Sequence, residues 1–182
     1  MIEIKDQAGT VSERKAMKAG GEPMGTDDRD PGAGATRPTA AAASSGAGFA
    51  LFPHDADLGV HGQGPTVEVA FAEAARAITA AVTDAPVAET DRVTLDCAAP
   101  DRDLLLVAWL NAVIAEMAVR GMLFGRFRVR IEGTQLSAEL WGEPINPLRH
   151  APACEPKGAT CAMAEVRREV DGLWHARCTV DV

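Results

Sequence analysis

One long apolar segment limits what this chain can fold into. Pro100-Asp101 marks its start and Gly121 its end, and only a narrow face between them is polar. A helix with so little polar surface must lie in the centre of a domain, covered on most sides by other elements. Its apolar positions are Leu105, Leu106, Trp109, Leu110, Val113, Ile114 and Met117.

The remaining patterns from residue 49 onwards predict the elements that cover this helix. Thr66 is the expected N-cap of a second helix, and Glu68 lies in its first turn, where the helix dipole favours a carboxylate. Asp171-Gly172 predicts a tight turn between the last two strands. The strand-like runs lie at 49–53, 58–61, 92–97, 122–131, 136–140, 160–170 and 173–182, with a connection at 141–152. We therefore expect an α+β fold, a mostly antiparallel β-sheet with two principal helices packed on it.

The first 47 residues differ in composition from the rest of the chain. Large apolar residues are almost missing there, so this segment cannot bury enough surface to offset the entropy of ordering it. Its six basic and seven acidic residues nearly cancel, which excludes a basic nucleic-acid-binding tail. The sequence predicts a disordered low-complexity tail over 1–47 and one folded domain over 48–182.

The charge and the apolar runs limit the class of protein. The net charge of −8 argues against a surface that binds nucleic acid by neutralising its phosphates. The N-terminus lacks a basic region followed by an apolar run, which predicts no secretory signal. Asn111 and Glu116 interrupt the longest apolar run, so no membrane span is expected. We expect a soluble, cytoplasmic protein that contacts neither DNA nor a membrane.

Four cysteines stand at positions 97, 154, 161 and 178. Because the chain has no predicted secretory signal, we expect these cysteines to be reduced and to lie in the core or in strands. A zinc site would draw on His150, Cys154 and Cys161. Their spacing lacks the close C-x2-C pairs of recognisable zinc sites, so the structural reading is preferred.

An acidic turn and the last strand suggest a cation site. His54-Asp55-Ala56-Asp57-Leu58-Gly59-Val60 follows a strand-like run, and alternation along the last strand places Asp181 on the face opposite Val180. Carboxylates at the ends of two adjacent strands supply oxygen ligands for a hard cation. The alternative is that Asp57 caps a turn and Asp181 is a solvated chain end. From these residues alone that alternative is the stronger, because turn aspartates commonly serve local hydrogen bonding.

The motifs of this domain, taken in order, resemble the archease family. No single motif would suffice, but their joint order and spacing across 49–182 are specific. They are F-x-H-x-A-D-x-G-V at 52–60, T-x-E-x-A-F-x-x-A-A at 66–75, L-L-x-x-W-L-N at 105–111, G-M-L-F-x-x-F-x-V at 121–129, G-E-P-x-x-P-x-R-H at 142–150, E-P-K-G-A-T at 155–160 and W-x-A-x-x-x-x-D-V at 174–182.

The resemblance implies a non-enzymatic protein cofactor of the RtcB-type, GTP-dependent RNA ligase of tRNA splicing and RNA repair. Archease-like proteins help that ligase to become guanylylated and to turn over repeatedly. The resemblance also implies a divalent cation, Ca²⁺ foremost with Mg²⁺ or Mn²⁺ as alternatives. Carried over by position, its ligands are Asp57, Asp181 and the backbone carbonyl of Val182. RNA is expected to be reached only through the ligase.

Three further residues are candidates for the same site. Asp55 stands where the family usually has threonine, and it either adds a ligand or raises the pKa of its neighbour by repulsion. His54 either orients an aspartate and meets the partner or is a hydrogen-bonded turn histidine. Lys157 lies in the family-like E-P-K-G-A-T segment, where it either meets an anionic group such as phosphate or is a plain surface lysine.

Other function classes remain open at this point. A stand-alone metal-dependent hydrolase, a phosphatase or nuclease, would use Asp55, Asp57 and Asp181. The sequence lacks a glycine-rich phosphate loop, a nucleophilic serine or cysteine motif and a histidine cluster, which disfavours that class. A chaperone-like module is a third reading. The alternating arginines at 126–130 suggest an RNA-binding face, although arginines on the solvent side of a strand are ordinary.

Overall fold

The computed structural model describes residues 46–54 and 57–182, apart from the side chain of His54. The predicted tail, up to residue 45, and Asp55 lie outside the described residues. The described elements are β1 (Gly48–His54), β2 (Asp57–Gly64), α1 (Val67–Val82), β3 (Asp91–Ala98), α2 (Arg102–Arg120), β4 (Met122–Glu132), β5 (Gln135–Pro144), α3 (Pro147–His150), β6 (Gly158–Arg168) and β7 (Trp174–Asp181).

The strands form two antiparallel sheets. Sheet A has the order β1-β2-β7-β6 and sheet B the order β3-β5-β4. The expected α+β fold is confirmed, with the strands divided between two sheets. β5 continues past Leu140 into the predicted connection, because Gly142 and Glu143 pair with Phe124 and Leu123 beyond a bulge in β4. The short helix α3 also lies in that connection.

The two long helices begin and end as their capping residues predict. The side chains of Thr66 and Asp101 accept the backbone N–H groups of Val69 and Leu104 at the N-termini of α1 and α2. Gly121 ends α2 in the left-handed conformation, with φ +61°, which glycine adopts without strain. No helix in the described part of the chain is both long and apolar enough to span a membrane.

The core lies between the helices and the two sheets. α1 packs against β2 of sheet A and β4 of sheet B, while α2 packs against β6 and β3. Trp109 of α2 is fully buried, and its indole N–H donates to the carbonyl of Phe71 in α1 at 3.0 Å. This bond satisfies the one polar atom of the largest core side chain. The central position expected for α2 is therefore observed.

Candidate metal centre

The pairing of β2 with β7 brings the two predicted carboxylates to one place. Leu58 lies opposite Val180, so the next residues outward on the two strands are Asp57 and Asp181. Opposed residues of antiparallel strands point to the same face, with Cβ atoms about 5 Å apart. Val180 is buried and Asp181 is exposed, which places the aspartates on the outer face of sheet A.

The same row extends across the neighbouring strands. His54 of β1 pairs with Asp57, and Gly158 of β6 pairs with Asp181. The backbone of His54 therefore belongs to the end of the sheet that carries both aspartates. The roles predicted for the side chains of His54 and Asp55 stay predictions, because those side chains lie outside the described part of the chain.

Lys157 contacts the end of β7 twice. Its backbone N–H donates to the carbonyl of Asp181 at 2.8 Å, and its ammonium donates to the main-chain oxygen of Val182 at 2.9 Å. The structure thus joins Lys157 to the residues that the family resemblance implies as metal ligands. A cation bound at the Val182 oxygen would compete with the lysine ammonium for that atom.

Asn111 is a positioning residue that the sequence reasoning missed. Its side-chain amide donates to the carbonyl of Ala159 at 3.0 Å, and its side-chain oxygen accepts the N–H of Ala159 at 2.9 Å. β6 is the edge strand of sheet A, so Asn111 takes the place of a neighbouring strand there. These bonds fix the segment that carries Lys157. The available signal was an amide within the apolar run of this helix.

A phenyl ring borders the aspartate row. Phe52 lies over Gly59, where an added Cβ would come within 2.1 Å of the ring. Gly59 therefore permits a close approach that no other residue allows. Thr179, which pairs with Gly59, has no exposed surface. Phe52, Gly59 and Thr179 thus form the next row of the outer face, directly beside the aspartates.

The residues of the disfavoured zinc reading have other partners. His150 is buried, and its Nδ1 accepts the N–H of Asn146 at 2.9 Å. Cys154 donates its thiol to the carbonyl of Ala81, and burial raises the pKa of that thiol. All four cysteines are free, with Cys161 exposed and Cys178 buried. These contacts anchor the 145–156 connection against α1.

Glu143 ties the same connection to its surroundings. The carboxylate accepts hydrogen bonds from the Arg149 guanidinium and from the backbone N–H of Ala88. These bonds, the arginine first, hold the pKa of Glu143 at about 2. The glutamate, arginine and histidine of the G-E-P-x-x-P-x-R-H motif therefore form one structural network.

Two of the three arginines of β4 bind groups of their own domain. Arg126 pairs with Glu89 at 2.6 Å and lies 3.6 Å from the centre of the Trp141 ring, while Arg128 pairs with Glu139 at 3.1 Å. These internal contacts use much of the positive charge that an RNA phosphate would require. These contacts therefore favour ordinary solvent-side arginines over an RNA-binding face.

The donor set at the aspartate row suits a hard cation. Two carboxylates and a main-chain oxygen are the ligands that Ca²⁺ and Mg²⁺ prefer, with water or a partner completing the shell. Among the described residues, no group of three or more His, Cys, Asp or Glu side chains is arranged to hold a metal ion. Residues 57, 181 and 182 thus offer an incomplete, open ligand set.

Comparison with known proteins decides the family. The model of the Archease protein family matches residues 49–182. The chain belongs to the archease family. The protein archease of Pyrococcus furiosus is 31% identical over 137 residues, covering 72% of this chain and 96% of that protein. The Aeropyrum pernix protein archease is 34% identical over 135 residues, covering 71% of this chain and 93% of that protein. The family resemblance of the motifs is therefore confirmed.

Two solved structures share the archease fold. The solution structure of Methanobacterium thermoautotrophicum protein 1598 gives a TM-score of 0.61 at 32% identity and covers 74% of this chain and 99% of that one. The crystal structure of an archease from Thermotoga maritima, described as a possible chaperone, gives a TM-score of 0.50 at 18% identity. The match covers 72% of this chain and 94% of that one. The second likeness concerns the fold alone.

Proposed function

We propose that this archease is a non-enzymatic protein cofactor of an RtcB-type, GTP-dependent RNA ligase in tRNA splicing or RNA repair. In this proposal it helps the ligase to become guanylylated and to turn over repeatedly, and it meets RNA only through the ligase. The observation that carries the proposal is the β2–β7 register, which puts Asp57 beside Asp181 on an exposed sheet end. Family membership supports it.

A divalent cation, Ca²⁺ foremost, would be held by Asp57, Asp181 and the carbonyl of Val182. Two carboxylates on adjacent strand ends repel each other unless a positive charge lies near them. When bound, the cation supplies that charge and offers open coordination positions to anionic groups of the ligase site.

Lys157 gives the site a second cation of its own. Its ammonium holds the Val182 oxygen at 2.9 Å, so a divalent ion at that oxygen releases it. The released ammonium is a compact charge on a flexible stem, suited to a phosphate or carboxylate of the partner. Cation binding and release of the lysine ammonium are therefore one coupled event in this proposal.

The test compares aspartate and lysine variants in two assays. Calcium and magnesium binding are measured by calorimetry, and ligase turnover is measured with purified ligase and RNA ends. Asp57→Ala and Asp181→Ala should each lose most cation binding and most stimulation without unfolding, since Asp57 is half-exposed and Asp181 exposed at the strand ends. The double variant should be little worse than either single one, because the residues act as one site.

Lys157→Gln is the matched control at the same sheet end. It removes the competitor for the Val182 oxygen, so cation affinity should rise while stimulation of the ligase falls. If each aspartate variant binds the ion and stimulates normally, the shared site does not exist. If cation binding is lost but stimulation persists, the metal site is real and the proposed link to the ligase is wrong.

A further inference from the structure

Two histidines meet on the outer face of sheet A, separate from the aspartate row. His61 lies on β2 and His175 on β7, and Nε2 of His61 is 2.9 Å from Nδ1 of His175. The ring planes are 19° apart, with centroids 5.1 Å from each other. In the register His61 lies opposite Arg177, so the two histidines are diagonal neighbours. The His175 side chain is only 6% exposed.

A carboxylate fixes the orientation of the buried ring. Nε2 of His175 is 3.0 Å from an oxygen of Asp171, whose other oxygen accepts the N–H of Leu173 at 2.9 Å. The bond from Leu173, followed by the contact with His175, holds the pKa of Asp171 below its usual range. His175 therefore donates its Nε2–H to Asp171 and directs the lone pair of Nδ1 at His61.

We propose that His61 and His175 form a two-ligand site for a divalent transition metal of the zinc type, in which the ion lies between the two facing nitrogens and the ring proton of His61 moves from Nε2 to Nδ1. Tetrahedral zinc with Zn–N bonds near 2.0–2.1 Å separates two ligand nitrogens by about 3.3 Å. The observed 2.9 Å would have to open by about 0.4 Å to reach that separation, and both rings would have to turn so that their lone pairs converge on the ion. Water fills the remaining positions, since His61 is half-exposed.

Asp171 completes the pattern of a metal-binding histidine. Ligating histidines almost always donate their second ring N–H to a carboxylate, carbonyl or water, which fixes the tautomer and raises ligand basicity. His175 has this arrangement before any metal arrives.

Charged groups of both signs surround the histidine pair. With both rings neutral, three carboxylates face two guanidinium groups, and Glu169 lies 3.8 Å from Nε2 of His175. Burial, followed by the charge of Arg177, keeps the pKa of His61 below its usual value. The ring is therefore neutral and free to bind metal at neutral pH. The charged groups are Glu165, Glu169, Asp171, Arg167 and Arg177.

The ligand chemistry separates this site from the aspartate row. Imidazole nitrogen suits zinc, nickel and copper, whereas carboxylate and carbonyl oxygens suit calcium and magnesium. The two sites lie on the same two strands but share no residue. The inference stands without the proposed function, and loss of one site leaves the other intact.

The experiment titrates Zn²⁺ into the full, metal-stripped chain by calorimetry at pH 7.5. His61→Gln and His175→Gln should each weaken zinc binding at least tenfold, and Asp171→Asn should weaken it by about tenfold, as for other outer-shell carboxylates. Affinity should fall as the pH is lowered to 6, because protons compete for the same nitrogens. The Asp57→Ala/Asp181→Ala double variant should keep zinc binding and lose calcium binding.

Imidazole NMR signals identify the ligands directly. Of the four histidines, those of His61 and His175 should shift on zinc addition, while those of His54 and His150 should not. Cys161→Ser tests the exposed thiol as a competing ligand. The proposal is overturned if wild type takes up no stoichiometric zinc, if His61→Gln binds as tightly as wild type, or if Cys161→Ser abolishes uptake. Melting curves without metal show that each variant is folded.

Discussion

Replacing Asn111 with alanine should destabilise the domain more than any side-chain truncation of similar size on its surface. The substitution removes the 3.0 Å and 2.9 Å hydrogen bonds to Ala159 and leaves both backbone groups of that residue without their partner. Ala159 is only 9% exposed, so water replaces the amide poorly. An unsatisfied buried donor or acceptor costs about 1–3 kcal/mol, and we expect about 2–3 kcal/mol in total.

Asn146→Ala is a matched control, since it deletes the same side chain and also removes two hydrogen bonds. Asn146 caps the short helix α3 by accepting the N–H groups of Leu148 and Arg149 at 3.0 and 3.2 Å in an exposed position. Loss of an exposed cap costs about 1 kcal/mol. Urea unfolding gives both free energies, and hydrogen exchange follows the Ala159 amide.

We expect faster hydrogen exchange at the Ala159 amide in Asn111→Ala alone. The slope of the unfolding free energy against urea concentration should be unchanged in both variants. Equal destabilisation of the two variants would refute the claim that Asn111 replaces a neighbouring strand. So would an Ala159 amide that stays protected in Asn111→Ala.

Three further expectations concern acid stability, the tail and catalysis. The pKa of Glu143 lies at about 2, below its ordinary 4.5, so its contribution to the free energy of unfolding is complete above about pH 4.5 and is lost as the pH falls towards 2. Unfolding of wild type and Glu143→Gln between pH 6 and 2 should converge at the acid end; a constant difference contradicts this. Deleting residues 1–45 should leave the melting temperature and ligase stimulation nearly unchanged, because that segment has few large apolar residues; a large drop in either would show that it docks. The purified protein alone should show no ligase, nuclease or nucleotide-hydrolase turnover, and robust turnover abolished by Asp57→Ala would favour the hydrolase reading.

The local elements could be predicted from the sequence because their signals are local. The caps Thr66 and Asp101 and the stop at Gly121 act on backbone groups within a few residues of themselves. The nearly continuous apolar surface of α2 likewise required burial whatever its partners. These features, and the α+β class that follows from them, could therefore be predicted without knowing the strand order.

The candidate site could not be predicted from residue patterns alone, because its geometry depends on strand order, which those patterns do not specify. Alternation placed Asp181 on the face opposite Val180, but only the pairing of β2 with β7 puts it beside Asp57. The family resemblance, not the pattern, supplied that adjacency. The contact of Phe52 with Gly59 and that of His61 with His175 depend on register between strands. A one-residue shift in strand register would abolish both contacts, and no pattern within a single strand predicts them.

The β2–β7 pairing joins residues that are far apart in the chain, since 181 − 57 gives a separation of 124 positions. Closing so long a loop is entropically costly and comes late relative to local contacts. β7 follows every other described element in chain order, so Asp57 does not meet Asp181 until β7 has paired with β2. A partner that recognises the paired aspartates would therefore discriminate against copies in which β7 has not paired with β2, and a cation bound to both aspartates would hold the end of β7 against fraying.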